Sequence, residues 1–195
     1  MSRPHVIGLT GSIGMGKSTA SRLFREAGIL VWDADAAVHA LYARGGAAVE
    51  PVRELHPQAV GLKGVDRNAL NDWIAGDPEA LARLESVVHP LVAADRAAFI
   101  QRADSDIVVL DIPLLFEIGA DSSVNTVVVV SAPAEIQRSR VLARPGMTEE
   151  RFASILSKQL PDAEKRARAD VVVPSVTIDE TRAHIDRLIR SLRDA

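Results

Sequence analysis

The chain has 195 residues, 47% of them hydrophobic and 25% charged, which is enough for one well-buried core with a smaller excursion from it. A formal net charge of −3, with no long run of one sign, gives no bulk electrostatic case for binding nucleic acid or a membrane. The absence of cysteine excludes disulfides, thiol nucleophiles and thiolate metal sites; with no signal-peptide pattern and no apolar run near the ~18 residues a membrane span needs, a soluble cytoplasmic protein is expected.

Val6, Ile7 and Leu9 form a short apolar run suited to a buried strand. The stretch GSIGMGKST, Gly11 to Thr19, follows and carries the pattern G-x-x-x-x-G-K-[ST]. Such a loop closes its backbone N–H groups around nucleotide phosphates, and Gly14 and Gly16 supply positive φ and close backbone approach. Lys17 brings a mobile positive charge to the β- and γ-phosphates, and the Ser18 hydroxyl is placed to ligate Mg²⁺. Ala20, Leu23, Phe24 and Ala27 then recur at helical spacing, with Gly28 as the stop, so strand, loop and helix come in the required order. The helix N-terminus adds partial positive charge beneath the phosphates.

A second apolar run, Ile29 to Trp32, ends at Asp33-Ala34-Asp35. From Ala36 to about Ala103 only helical spacing is found, punctuated by Gly45-Gly46, by a loop over Pro57 to Gly64, and by His89-Pro90, where proline disfavours helical geometry at the histidine. Strands resume at Ile107 to Leu110, Thr126 to Val130 and Val171 to Val173, separated by helical patterns. This alternation predicts an α/β protein with a parallel sheet flanked by helices on both faces. Residues 1–35 and 104–195 are expected to form the nucleotide-binding core, residues 36–103 a helical insertion, and the Ala- and Arg-rich stretch Ala163 to Ala169 a helix surface.

Parallel sheets place ligands beyond the carboxyl ends of their strands. Asp33, Asp35 and Asp111 all fall at such ends, where a carboxylate holds Mg²⁺ or an acceptor, or simply caps a helix or turn. Arg138, Arg140 and Arg144 lie around a helix opening near Pro133, and Pro145-Gly146 then breaks the chain before a helix start at Thr148, Glu149 and Glu150. The segment over about 138–150 reads either as a mobile lid whose arginines stabilise a transferring phosphoryl group or as a solvated arginine face.

LTGSIGMGKST, then VWDAD, HPL at His89 to Leu91, LDIPLLFE, and the arginine segment running into RPGMTEERF follow one another, with Gln159 and Ala169-Asp170 after them. In this order they resemble the dephospho-CoA kinase family over essentially the whole chain. The resemblance implies a P-loop kinase fold of the nucleoside-monophosphate-kinase type: a five-stranded parallel sheet flanked by helices, with a helical acceptor-binding insertion and a small lid. The implied reaction is transfer of the ATP γ-phosphoryl group to the ribose 3′-hydroxyl of dephospho-CoA. Carried over by residue, Gly11, Gly14, Met15, Gly16, Lys17, Ser18, Thr19 and Arg144 bind ATP, while Ser18 and Asp111 serve Mg²⁺. Asp35 acts on the acceptor hydroxyl as base or orienter, Arg140 acts on the transferring phosphate, and Asp33, His89, Asp111 and Leu115 serve the acceptor.

Two departures stand out. Pro174 and Ser175 replace the asparagine that many relatives carry after the last strand, and Met15 stands where a small residue is usual, with its side chain expected to face outward. A nucleotide-driven switch or motor is disfavoured: no NKxD pattern occurs, and Asp111 is followed by Ile112 rather than glutamate. A kinase of the same fold acting on another small acceptor is separated from this reading only by VWDAD, HPL and DIPLLFE. Oligomeric state has no signature in the sequence.

Overall fold

Short valine- and isoleucine-rich runs form the strands, because β-branched side chains pack well on a pleated surface covered on both faces. They are β1 (His5–Thr10), β2 (Leu30–Asp33), β5 (Ile107–Asp111), β6 (Thr126–Ser131) and β7 (Val171–Pro174). The five make one sheet in the order β2-β5-β1-β6-β7. β1 pairs in parallel with β5 on one side and β6 on the other, and β6 with β7, so the first strand of the chain lies at the centre. Every residue of β5 and β6 is buried, as expected of strands with both faces covered. These strands coincide with the apolar runs of the sequence to within a residue or two at each end.

The computed structural model describes residues 3–194, which divide into two units: one runs to Trp32 and resumes at Ala103, and the other is Asp33–Arg102. In the first unit, Ile7, Leu9, Ile107, Val109, Val128 and Val130 from the sheet bury themselves against α1 (Lys17–Glu26) and α9 (Ile178–Arg193) through Leu23, Phe24, Ile185 and Leu188. α1 stops as its glycine predicts. Gly28 has φ +80°, its N–H bonds the Arg25 carbonyl and the Ile29 N–H reaches back to Phe24, which pairs two last-turn carbonyls that would otherwise lack partners. The same unit holds α6 (Ala134–Leu142), α7 (Glu149–Leu156) and α8 (Asp162–Arg168).

The second unit packs α2 (Ala34–Tyr42), α3 (Val49–Leu55), α4 (Arg67–Gly76) and α5 (Ala80–Arg102) around its own core of Ala48, Val52, Ala59, Leu70, Leu84 and Val88. Two expectations fail here. A small antiparallel hairpin, β3 (Val60–Gly61) with β4 (Gly64–Val65), occupies the segment read as loop. Two-residue strands are too short to show a period of two, and the hairpin is fixed instead by Gly64 at φ +104° and by a bridge from Ala43 to Gly64. The helix also continues through His89-Pro90, since α5 runs 23 residues with Pro90 inside it. Pro90 removes one backbone donor, but Ser86, whose carbonyl loses it, is an exposed residue, where the loss costs less than in a buried turn.

Candidate active site

The glycine loop leaves the carboxyl end of the central strand, where the neighbours β5 and β6 diverge in sequence order, the usual crevice for a ligand in an open parallel sheet. Gly14 and Gly16 have φ +77° and +92°, and Gly16 caps α1 in the left-handed conformation. Protein atoms crowd the glycines as well. A Cβ would lie 2.7 Å from the Val130 carbonyl oxygen at Gly11 and 2.5 Å from Val141 Cγ2 at Gly14, and it would overlap Ser175 Oγ at Gly16. Within this cradle the Ser12 hydroxyl is buried and has no hydrogen-bond partner among the described residues. Lys17 Nζ donates to Asp111 Oδ1 at 2.5 Å, and Asp111 is only 2% exposed. Ser18 is exposed in the first turn of α1, with Thr19 beside it. A curled backbone at a helix N-terminus, an ammonium, a buried unsatisfied hydroxyl and an exposed hydroxyl together suit a polyphosphate and its divalent cation.

Met15 departs from expectation. Its side chain is 3% exposed and points inward, with Sδ accepting the Ala132 N–H at 3.2 Å, because the loop needs apolar packing behind it where β6 gives way to α6. Two glutamines meet the neighbouring residue of the loop. The Ile13 N–H donates to Gln159 Oε1 at 3.1 Å, and Gln137 Nε2 donates to the Ile13 carbonyl at 2.8 Å. Gln137 is buried on α6, and nothing in the local pattern of that helix marks it.

On α6, Arg140 donates to Ser175 Oγ at 3.4 Å and to the Val176 carbonyl at 3.2 Å, so Ser175 both holds an arginine and closes against Gly16. Arg138 pairs instead with Glu149, at the start of α7. Arg144 is exposed just beyond α6, and Thr148 caps α7 by accepting the Arg151 N–H.

The turn after β5 is divided in its use. Leu115, expected at the acceptor, is fully buried in this structure, and its side chain packs on Gly8. Glu117 Oε1 accepts the Leu160 N–H at 2.9 Å and lies 2.9 Å from Lys165 Nζ. Burial alone would push the Glu117 carboxyl up, but the Lys165 ammonium and the Leu160 N–H together hold it below the usual glutamate value. Ala163 to Ala169 falls on α8 and its C-cap and is mostly exposed, as expected of a helix surface, with Lys165 turned inward and fully buried.

In the second unit, Asp33 Oδ1 accepts the Ala36 N–H at 3.0 Å and caps α2. Asp35 is exposed in the first turn of that helix and opens onto a cavity of about 580 Å³ whose walls include Tyr42, Arg67, Asn71, Leu70 and Ile74. The Arg67 guanidinium sits over the Tyr42 ring, 5.7 Å from its centre. Burial raises the Tyr42 hydroxyl above its usual value, with Arg67 opposing. His89 is exposed on α5.

Comparison with known proteins identifies the family. The family model for dephospho-CoA kinase matches residues 5–180. A dephospho-CoA kinase of Cereibacter sphaeroides is 56% identical over 192 residues, covering 98% of each chain, and one of Novosphingobium aromaticivorans is 53% identical over 196 residues, covering 100% of this chain and 98% of the relative. Among solved structures, TT1252 from Thermus thermophilus superposes with a TM-score of 0.85 at 37% identity, covering 97% of this chain and 98% of the other. The dephospho-CoA kinase of Campylobacter jejuni shares the fold, with a TM-score of 0.67 at 21% identity, covering 98% of each chain. With a family model spanning most of its length and relatives more than half identical from end to end, this chain belongs to the dephospho-CoA kinase family.

Proposed function

We propose that this protein transfers the γ-phosphoryl group of ATP to the ribose 3′-hydroxyl of dephospho-CoA, releasing CoA and ADP as the last step of coenzyme A synthesis. The observation that supports it most is the glycine cradle, with Gly14 and Gly16 in the left-handed region directly before Lys17, in a chain that matches the family over residues 5–180. In the reaction a bond forms between the acceptor oxygen and the γ-phosphorus as the bond to the β,γ-bridging oxygen breaks, and the hydroxyl proton is lost.

In this reading Gly11, Gly14, Met15, Gly16, Lys17, Ser18 and Thr19 hold the ATP phosphates, largely through backbone N–H groups, and Ser12 adds its buried hydroxyl. Magnesium, when bound at Ser18, neutralises charge on the β- and γ-phosphates. Asp111, which pairs with Lys17, both positions that ammonium and lies at the strand end from which it serves metal or acceptor. Arg140 steadies the transferring phosphoryl group and Arg144 the nucleotide, with the segment over about 138–150 acting as a lid. Asp35 orients the acceptor hydroxyl and receives its proton, with Asp33 and His89 on the acceptor as well. The cavity beside Asp35 suits an acceptor with an extended arm, since it sets apolar walls beside Arg67 and Asn71. The acceptor-binding role thus falls to the insertion, residues 36–103. A soluble cytoplasmic enzyme is proposed; among the described residues no helix is long and apolar enough to cross a membrane.

ADP formation from Mg-ATP, measured with dephospho-CoA, with AMP and with no acceptor, tests the assignment. ADP matched by CoA with dephospho-CoA alone is expected. Turnover with AMP instead would overturn the acceptor, and steady hydrolysis without any acceptor would overturn the kinase reading.

A further inference from the structure

Ile13 has both of its backbone polar groups taken by glutamine side chains that lie 124 and 146 residues further along the chain. A surface turn fills such groups with water, so two protein amides on one loop residue are a specific construction. The orientation of each amide is dictated by its partner, because a backbone N–H can meet only Oε1 and a carbonyl can meet only Nε2.

We infer that Gln137 and Gln159 are positioning residues that set the curvature of the phosphate loop by clamping Ile13 from both sides. This rests on the reading of the loop as the ATP phosphate site. The peptide unit is planar and trans, so its C=O and N–H point in opposite directions. Holding the Ile13 carbonyl toward Gln137 therefore fixes the direction of the Gly14 N–H on the other edge of the same plane. Holding the Ile13 N–H toward Gln159 fixes the Ser12 carbonyl, which in turn accepts the Met15 N–H at 3.1 Å. Donors aimed in advance cost nothing to reorganise when the phosphates arrive.

The clamp is itself anchored. Gln137 is 6% exposed on α6, and Leu160, the residue after Gln159, gives its N–H to Glu117. The two glutamines stand on either side of the segment carrying Arg144, and Arg140 shares α6 with Gln137. Loop curvature is thereby set by the elements that present the arginines.

The test uses the whole protein and two probes measured by titration calorimetry: inorganic tripolyphosphate, which offers only the phosphate chain, and adenosine, which lacks it. Gln137→Met and Gln159→Met keep side-chain length and remove the hydrogen bonds. Each is expected to weaken tripolyphosphate and ATP by about fivefold, the worth of a backbone hydrogen bond, and to leave adenosine within about twofold. Glutamate separates the two roles, because it keeps an acceptor and loses the donor. Gln159→Glu should recover most of the loss seen in Gln159→Met, whereas Gln137→Glu should be no better than Gln137→Met. Measurement at about 0.3 M salt limits repulsion between the new carboxylate and the phosphates.

If the unmodified protein binds neither ATP nor tripolyphosphate, the phosphate-site reading itself fails. If it binds both and the variants bind them equally well, or lose adenosine as much as tripolyphosphate, the clamp is overturned.

Discussion

At Asp33 the carboxylate is committed to the Ala36 N–H, while at Asp35, two residues on, it is exposed on the rim of a cavity. Asp33 therefore carries a folding role besides its proposed place at the acceptor, whereas Asp35 carries the proposed chemical one. Asp33→Ala should lower stability by about 1 kcal/mol through loss of the helix cap, read as a shift in the urea midpoint. Asp35→Asn should leave that midpoint nearly unchanged and the KM for ATP within about twofold, while kcat falls by about 10²-fold or more. An Asp35→Asn enzyme with near-normal kcat would remove Asp35 from the chemistry.

Between elements, the Glu117–Lys165 pair fastens the turn after β5 to α8 and, through the Leu160 N–H, to the linker that carries Gln159. Burial pushes the Glu117 carboxyl up, and its two partners outweigh that and depress it below about 4.5. A depressed carboxylate contributes stability that is complete above its unfolded value and is lost as the pH falls through the folded one. The stability difference between the unmodified protein and Glu117→Gln should therefore be constant from pH 7 down to about 5 and shrink as acid is added below about 4.5. Urea titrations at four or five pH values check this, and a difference independent of pH would show that the carboxylate charge is not what holds the turn.

How legible each element is depends on how local its causes are. The five sheet strands are readable because each is a run of apolar residues covered on both faces, and the glycine loop because its chemistry is contained in nine residues from Gly11 to Thr19. The hairpin at Val60 to Val65 is not, since its register depends on a bridge to Ala43. Pro90 misleads because an exposed helix face tolerates a lost hydrogen bond. Met15, Leu115 and Lys165 are buried by neighbours distant in sequence, and Gln137 acts on a carbonyl 124 residues away, so no pattern around any of them announces its place.

At the scale of the molecule, each of the two units has a hydrophobic core of its own, the first centred on the sheet and the second on Val52, Leu70 and Leu84. Ligand that binds only the folded state stabilises whatever must be intact to bind it, by about 2.7 kcal/mol at a hundredfold excess over Kd. If the glycine loop holds ATP, hydrogen exchange with and without ATP should show added protection in β1, β5 and β6. The β3–β4 hairpin should change little. Protection confined to the hairpin and its neighbours would place the nucleotide in the other unit.

The interruption of the first unit by the second also bears on how the protein is made. β1 and the glycine loop leave the ribosome well before the partners of β1, which are β5 and β6, about a hundred residues later. The segment Asp33–Arg102 holds its whole core within one continuous stretch. Short sequence separations close quickly and long ones slowly. During synthesis the insertion therefore has its contacts available while the glycine loop still waits for β5 and β6 beside it and for Gln137 and Gln159, which hold Ile13.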